Sequence, residues 1–537
     1  MTFRDGTLVD WYEWGPEPFE IAERAGKPVL CALTAPWCAW CDRMDEESYS
    51  DPKLAANIGD SFVPVRVDVD RHPRVRERYN MGGFPTTVFL TPDGEVLSGA
   101  TYLGPDGLRQ VLDSIRASWD AKGTSAGRVP RTVSSADLPS GEITADIEAH
   151  MVEQVAAAFD DEHGGWGTDA KFPLPRTVEL ALKRDRDRGT RTLDAVQTHL
   201  FDTYDGGFYR FAETRRWGEP HREKLVDENA ALLRAFTTGY LYTGDESYRR
   251  TAERTVDYLT TTAWTGDAFA GSQAASDYYT LEPTEREEAK PPHVDPTVFA
   301  DRNGLAAEAL CRFAAITDHG GARYAERALE HVLETLVDDG HVTHFDGERS
   351  ETGLLADHAR VLSGLTAAAQ VLGPDGWIDP ARAIADDAID RLATADGSFR
   401  DGQPSGAGLL DRPLYPLGTN AEMADALLDL AALTGEDRYV AAAEDALSAF
   451  AGAYDRMGVE AAGYAAGCAR AHYEPLVVRT PPVGTDLHRV ALRLADHEKV
   501  VVPEDRDDAV AIRADHTTAP AVTPDELLER ASDGPLP

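Results

Sequence analysis

Lysine and cysteine are both scarce in this chain of 537 residues. Only eight of its 53 basic residues are lysine, whereas aspartate and glutamate number 93, which leaves a formal net charge of −40. Because the acid is spread along the whole chain, we interpret it as an adaptation to a cytoplasm rich in salt, where screening weakens self-repulsion. An ordinary acidic protein is the alternative. The charge argues against nucleic acid and anionic membranes as partners.

Long apolar runs are also missing, and the first ten residues show no basic-then-apolar signal, so we expect a cytoplasmic protein with no membrane association. The five cysteines are too few, and odd in number, for a disulfide scaffold. Cys31, Cys311 and Cys468 lie among apolar or small residues, and we expect them to be packed. The length requires two or three domains.

The cysteine pair that remains forms the motif WCAWC at residues 37–41, directly after the apolar run at residues 28–33. Two cysteines separated by two residues, at a strand-to-helix junction, are typical of a redox-active dithiol. A helix that begins near Cys38 directs free backbone N–H groups and its positive dipole end at the sulfur, which favours the reactive thiolate.

The pattern of residues 1–120 predicts the order helix, strand, helix, helix, strand, helix, strand, strand, helix. Together with WCAWC, the motifs VDVD at 67–70, GFPT at 83–86 and PDG at 92–94 resemble the thioredoxin fold. The resemblance implies a cis peptide bond before Pro85, beside the cysteines. In this arrangement Cys38 attacks as the nucleophile and Cys41 resolves the mixed disulfide.

Two departures from thioredoxins leave the activity of the pair open. The buried acid that assists proton transfer at the second cysteine is replaced by Ala32, and Asp42 follows Cys41 directly. A negative charge at Asp42 raises nearby thiol pKa values. A degenerate domain used for docking is therefore an alternative. No second Cys or His pair with ligand spacing accompanies the motif, so we predict no metal and no cofactor.

Beyond a linker at 121–142, rich in Gly, Ser and Pro, residues 143–473 form Ala-rich helical segments separated by glycine–aromatic turns. Helix pairs joined by alternating short turns and long loops predict an (α/α)6 toroid whose long loops gather at one mouth. Residues 474–537 alternate between strand and helix patterns and predict a small α/β cap. The expected fold is multidomain, α/β plus all-α.

The whole chain resembles the spermatogenesis-associated, thioredoxin-domain-containing family, whose toroid is similar to those of N-acylglucosamine 2-epimerases and six-hairpin glycosidases. The resemblance rests on CAWC at 38–41, FDxxHGGWG at 159–167, KFP at 171–173, GGFxR at 206–210, PHxEK at 220–224, and the pairs Asn229-Ala230 and Asn303-Gly304. The chain departs from the family at several positions. Asp42 replaces a His, Arg302 replaces a Trp, Asp227-Glu228-Asn229 replaces Tyr-Asp-Asn, and the cysteines near the family's C-terminus are missing.

Sugar sites combine aromatic faces with acids or histidines. Epimerases of this fold use a histidine base, and glycosidases use paired carboxylates. We therefore predict as catalytic groups Cys38, Cys41, Pro85, His221 and Glu223. The predicted binding groups are Trp37, Trp40, His163, Trp166, Lys171, Tyr209, Arg210, Lys224 and Asn229. Further candidate bases and acids are His293, His358, Asp160, Asp227, Asp277 and Asp357. Buried ion pairs and caps look identical in sequence, so each of these residues has a structural alternative. We expect His341 and His344 to be solvated.

Three functions remain open. The first is a thiol–disulfide redox protein whose toroid binds a disulfide or dithiol partner protein, or a carbohydrate. The second is a sugar epimerase or hydrolase with an accessory thioredoxin domain, and the third is a non-catalytic binding module.

Overall fold

The computed structural model describes residues 6–133, 137–317, 319–404, 406–514 and 516–532. Parts of the predicted linker (134–136) and of the predicted C-terminal cap (515 and 533–537) lie outside the described residues. The chain divides into two compact units. Unit 1 contains residues 1–137, 274–276 and 401–414, and unit 2 contains the rest.

Unit 1 is built on a five-stranded mixed sheet in the order β1-β3-β2-β4-β5, in which β1, β2 and β3 are parallel and β4 and β5 are antiparallel. Its strands are β1 (Tyr12–Glu13), β2 (Val29–Thr34), β3 (Val63–Asp68), β4 (Thr86–Leu90) and β5 (Val96–Ala100). Its helices are α1 (Pro16–Ala25), α2 (Ala39–Met44), α3 (Pro52–Ser61), α4 (Pro73–Tyr79) and α5 (Pro105–Lys122). The central strands β2, β3 and β4 are buried along their whole length, as expected for strands covered on both faces. The predicted thioredoxin-like fold is confirmed.

Sequence patterning missed two details of this unit. The short edge strand β1 has too few residues to show a period. The single helix predicted over residues 38–49 ends as an α-helix at Met44 and continues as a π-turn, Asp45–Tyr49.

Residues 401–414 complete unit 1 through a buried ion-pair cluster. Asp401 accepts hydrogen bonds from Arg74 Nε at 3.1 Å and from Arg78 Nη1 at 2.6 Å. The Arg78 side chain is fully buried and also donates to the Leu409 carbonyl. The Tyr79 hydroxyl accepts a hydrogen bond from the Leu409 N–H at 2.8 Å. Helix α4 is therefore held by a segment that lies more than 300 residues further along the chain.

Unit 2 is a closed ring of six helix pairs. The inner helices are α7 (Pro175–Arg184), α9 (Val226–Thr243), α12 (Ala300–Thr317), α14 (Leu355–Val371), α16 (Leu417–Thr434) and α18 (Ala462–Tyr473). The outer helices are α6 (Ala145–Ala157), α8 (Arg186–His199), α10 (Glu246–Thr261), α13 (Ala322–Thr335), α15 (Ile378–Leu392) and α17 (Asp437–Ser448). Each inner helix packs against the next, and α18 packs against α7 to close the ring. The predicted (α/α)6 toroid is confirmed.

Buried asparagines repeat around the inner ring. The Asn229 side chain accepts from the Phe208 N–H and donates to the Phe208 carbonyl and to the carbonyl four residues before it. Asn303 makes the same three bonds around Phe269, and Asn420 makes them around Phe399. Each asparagine thereby ties the start of an inner helix to a preceding aromatic turn. On α14 the equivalent bond to the i−4 carbonyl comes from His358.

Short strands and one short helix occupy the loops of the toroid. They are β6 (Phe211–Ala212), β7 (Pro220–His221), β8 (Lys224–Leu225), β9 (Ser272–Gln273), α11 (Pro283–Arg286), β10 (Val294–Asp295), β11 (Val337–Asp338) and β12 (His341–Val342).

The C-terminal part of unit 2 is a four-stranded sheet in the order β14-β13-β15-β16, and the predicted α/β segment is confirmed. Its elements are β13 (Val477–Thr480), α19 (Asp486–Leu492), β14 (Val500–Pro503), β15 (Val510–Arg513), β16 (His516–Thr517) and α20 (Pro524–Ser532). Among the described residues, no helix has the length and apolar character needed to cross a bilayer.

Candidate functional site

The cysteine pair lies at the N-terminus of α2. Cys38 is the N-cap residue, and Cys38 and Cys41 form a disulfide with their Cα atoms 5.3 Å apart. The Cys38 sulfur accepts a hydrogen bond from the Cys41 N–H at 3.1 Å. This backbone donor and the helix dipole stabilise negative charge on the Cys38 sulfur once the disulfide is reduced.

Two tryptophans flank the pair in different environments. Trp37 is buried, donates from Nε1 to Asp70 Oδ2 at 2.9 Å, and packs edge-to-face on Phe84. Trp40 is 41% exposed and stands against the ring of Tyr102. The peptide bond before Pro85 is cis. Trp37 therefore braces the motif, and Trp40 is the aromatic surface that a partner would contact.

Both cysteines are well shielded, with 6% of Cys38 and 2% of Cys41 exposed. Beside them the Trp37 carbonyl accepts a hydrogen bond at 3.2 Å from the N–H of Ala275, in the short segment 274–276 of unit 1. The sulfur of Cys38 can thus be reached only by a small disulfide or an extended chain. The other cysteines, Cys31, Cys311 and Cys468, are buried and free, as predicted.

At the position of the missing acid, Ala32 is buried in β2 and pairs in register with Arg66 of β3. The Arg66 guanidinium donates to the buried Asp45 carboxylate at 2.5 Å. The charged pair near the missing acid is therefore internally compensated. Burial raises the pKa of Cys31, the neighbouring thiol on β2.

A second candidate site is a cavity of about 300 Å³ in unit 2, formed largely by the first turns of inner helices. Its charged lining residues are Arg176, Arg210, Asp227, Glu228, Arg234, Glu308, Arg360 and Glu422. Phe172 is 44% exposed, lines the same cavity and stacks on Phe211 at 4.5 Å. A flat aromatic face beside several charged hydrogen-bonding groups is the combination that sugars need.

Most of the acidic groups in this cavity are neutralised by arginine. Glu308 accepts from Arg234 Nη1 at 3.0 Å, and its pKa is lowered to about 2 because attraction to Arg234 and Arg312 outweighs burial. Glu422 accepts from Arg360 Nε at 2.9 Å. By contrast, Asp227 Oδ1 and Glu228 Oε2 are buried and have no hydrogen-bond partner among the described residues.

Glu228 is the cavity carboxyl whose protonation is most altered. Burial raises its pKa to about 8, and the nearby Asp227 and Glu223 add to the effect, although Arg210 opposes it. Arg210 Nε lies 3.4 Å from Glu228 Oε1. At neutral pH Glu228 therefore holds a proton that it can donate to a bound molecule.

His221 and Glu223 lie behind this cavity. His221 stacks on Phe211 at 4.1 Å, its Nε2 lies 2.6 Å from Glu213 Oε1, and its Nδ1 lies 3.5 Å from Glu223 Oε1. Burial lowers the pKa of His221, but its contacts with Glu223 and Glu213 outweigh burial and raise the pKa above the usual value. An imidazolium between two carboxylates is a weak base. The catalytic role of both residues stays a prediction.

Several predicted binding residues are engaged inside the protein. The Lys171 ammonium is fully buried and pairs with Asp160 at 3.0 Å. The Lys224 ammonium is also fully buried, and it pairs with Asp202 at 2.8 Å. Trp166 is buried and donates to the Val155 carbonyl. These contacts give all three a structural role, but they do not test binding.

The remaining predicted binding residues differ in access. Asn229 holds the Phe208 turn, Tyr209 is buried against Tyr279, and His163 is half-buried near Glu162. Of the predicted toroid residues, Arg210 is the one that lines the cavity.

Three functional candidates escaped or contradicted the sequence patterns. Glu228 was noted as a departure from the family, but its raised pKa arises from neighbours far apart in sequence. The expectation that His344 is solvated is wrong, since it is buried and its Nδ1 lies 2.9 Å from Asp357 Oδ1. His341 is half-buried against Asp387.

Comparison with known proteins agrees with this two-part organisation. Residues 4–135 match a family model described as Thioredox_DsbH, protein of unknown function, DUF255. Human spermatogenesis-associated protein 20 is 29% identical over 288 residues, which cover 47% of this chain and 37% of that protein. The predicted family resemblance is confirmed. The chain spans little more than a third of the length of the curated relatives it matches.

Among solved structures, cellobiose 2-epimerase from Spirochaeta thermophila DSM 6192 aligns with 56% of this chain and 82% of its own, at 17% identity and a TM-score of 0.45. A structure described as DsbH oxidoreductase aligns with 22% of this chain and 91% of its own, at 20% identity and a TM-score of 0.19. Chemistry must therefore be argued from the residues of this chain.

Proposed function

We propose that this protein carries out thiol–disulfide exchange through Cys38 and Cys41. The observation that carries the proposal is the pairing of the two cysteines at the start of α2, with a backbone N–H directed at the Cys38 sulfur. In the reduced protein, the Cys38 thiolate attacks one sulfur of a partner disulfide, and the partner's other sulfur leaves as a thiolate. The Cys41 thiolate then attacks the Cys38 sulfur and releases the partner's second thiolate. The partner gains two electrons, and the pair ends as the disulfide.

Alkylation of the reduced protein tests this proposal. At neutral pH we expect iodoacetamide to modify Cys38 about tenfold or more faster than Cys31, because a thiolate at a helix N-terminus is far more populated than a buried thiol. Mass spectrometry of the two peptides measures both rates. Equal and slow modification of the two would contradict the proposal.

A trapping experiment separates exchange from simple reactivity. We expect Cys41→Ser to accumulate a mixed disulfide between Cys38 and glutathione when glutathione disulfide is added, since the resolving sulfur is absent. Cys31→Ser is the matched control and should accumulate none beyond the level of the unmodified protein. A degenerate docking domain would give no adduct in either variant.

A carbohydrate-active toroid is the second proposed function, as a hydrolase that uses Glu228 and Asp227. It is supported by the two carboxylates with unpaired oxygens in a cavity that also presents Phe172. Glu228 would protonate the leaving oxygen, and Asp227 would act as the ionised partner. No histidine is among the described residues that line the cavity, so the carboxylate chemistry is favoured over a histidine-based epimerisation.

A further inference from the structure

We propose that His341, His358 and Asp387 bind one divalent transition-metal ion, with Zn²⁺ the best fit. The three donor groups come from β12, α14 and α15, and one ligand atom from each lies within 4.8 Å of the others. Two imidazole nitrogens converge on a single carboxylate oxygen. His341 Nδ1 lies 3.1 Å from Asp387 Oδ2, and His358 Nε2 lies 3.0 Å from the same oxygen.

The backbone determines which nitrogen of His358 is available. His358 Nδ1 lies 2.8 Å from the Leu354 carbonyl oxygen. A carbonyl only accepts, so Nδ1 carries the hydrogen, and in the neutral ring Nε2 presents its lone pair to Asp387. Two acceptors this close need a cation between them, either a proton or a metal ion. A carbonyl that fixes the tautomer of a ligating histidine is the usual second layer of a metal site.

The spacing suits an ion better than it suits three independent groups. Ligands at roughly 2.0–2.1 Å from a tetrahedral zinc lie about 3.3 Å from each other, close to the separations of both imidazoles from Asp387. The other oxygen, Asp387 Oδ1, accepts from Arg391 Nε at 2.6 Å, which turns Oδ2 toward the histidines. Nitrogen and carboxylate donors of this kind suit zinc and its neighbours rather than Ca²⁺ or Mg²⁺.

Access and support are both present at the cluster. His358 is fully buried and Asp387 is 8% exposed, whereas His341 is 29% exposed and leaves an entry path. Gly353 packs directly on the His341 ring, because a Cβ at that position would lie 2.7 Å from the ring carbon. Three protein ligands leave a fourth position for water or a bound molecule. The ligands are 17 and 29 residues apart on three separate elements, so no short spacing motif marks them.

The test uses Zn²⁺ and Co²⁺ as probes on the full chain, at the salt concentration where it is folded. After treatment with a chelator, we expect the protein to bind one Zn²⁺, measured in competition with a chromophoric chelator. His341→Asn should weaken binding by more than the about 10–100-fold that loss of an outer partner costs. His293→Asn, at an exposed histidine, is the matched control and should leave affinity unchanged. Bound Co²⁺ should show the visible absorption of nitrogen ligation, which carboxylates on an acidic surface do not produce.

Two results would overturn the proposal. One is the absence of saturable Zn²⁺ binding by the unmodified chain. The other is wild-type affinity in His341→Asn, which would place any bound ion elsewhere, such as the fully buried cluster of Asp301, His344 and Asp357. Because His341 is partly exposed, its variant should keep the apo protein's melting temperature, and Asp387→Asn then serves as an independent second ligand variant.

Discussion

Asp401→Asn is expected to destabilise unit 1 by about 3–5 kcal/mol, the usual effect of removing one partner from a buried ion pair. The Arg78 side chain is fully buried and that of Arg74 is 5% exposed, and both donate to the Asp401 carboxylate. An amide at this position leaves two guanidinium charges without a counter-ion. Denaturant-dependent hydrogen exchange of peptides from β2 and β3 measures the free energy of unfolding of this unit.

Two companion variants make that result specific. Asp113→Asn, at an exposed position on α5, should change stability by less than about 0.5 kcal/mol. Adding Arg78→Met to Asp401→Asn should recover part of the loss, because one of the two uncompensated charges is removed with its volume kept. A loss below about 1 kcal/mol in Asp401→Asn would mean that the carboxylate does not hold the segment 401–414.

Glu228→Gln is expected to lower turnover of a sugar substrate by about 10²–10⁴-fold while leaving its binding intact, since the amide keeps the shape but has no acidic proton. The substrate is first found by thermal shift with a panel of mono- and disaccharides and their nitrophenyl glycosides. Glu334→Gln, at an exposed position on α13, is the control and should retain full turnover. If no member of the panel shifts the melting temperature, the carbohydrate proposal fails.

The same variant has a signature that needs no substrate. Folded protein keeps the Glu228 proton up to about pH 8, whereas the unfolded chain releases it near pH ~4.3. Stability therefore falls as pH rises between these two values, and the loss is complete above the higher one. Glu228→Gln removes this dependence. Its melting temperature relative to the unmodified protein should rise from pH 5 to pH 9, and a constant difference would contradict the raised pKa.

Much of the architecture could be predicted because local signals agree with it. The strands β2 and β4 are continuous apolar or β-branched runs, and the helices of the toroid are long and separated by glycine–aromatic turns. The repeated asparagines show why those turns matter, since each amide joins a turn to an inner helix. Nothing local signals that residues 401–414 pack against α4, because the partners of Arg74 and Arg78 lie in a distant segment.

The candidate sites were less predictable for the same physical reason. The cysteine motif is compact in sequence, and the structure places it where the pattern predicts. In the toroid, Lys171 and Lys224 looked like binding residues because their motifs are charged and aromatic, yet their ammonium groups are fully buried in ion pairs. Glu228 gains its altered pKa from burial and from Asp227, Glu223 and Arg210. Such effects depend on three-dimensional proximity, which a linear pattern does not encode.

The discontinuity of unit 1 has a consequence for the order of folding during synthesis. When the ribosome has completed residues 1–137, the sheet and the cysteine pair are present, but the carboxylate for Arg74 and Arg78 is still more than 250 residues away in the message. The N-terminal domain therefore emerges with two uncompensated buried cations, and it can reach its final stability only after residue 414 has been translated. Oxidation of the nascent dithiol and completion of its own domain are thus separated in time by the synthesis of most of the toroid.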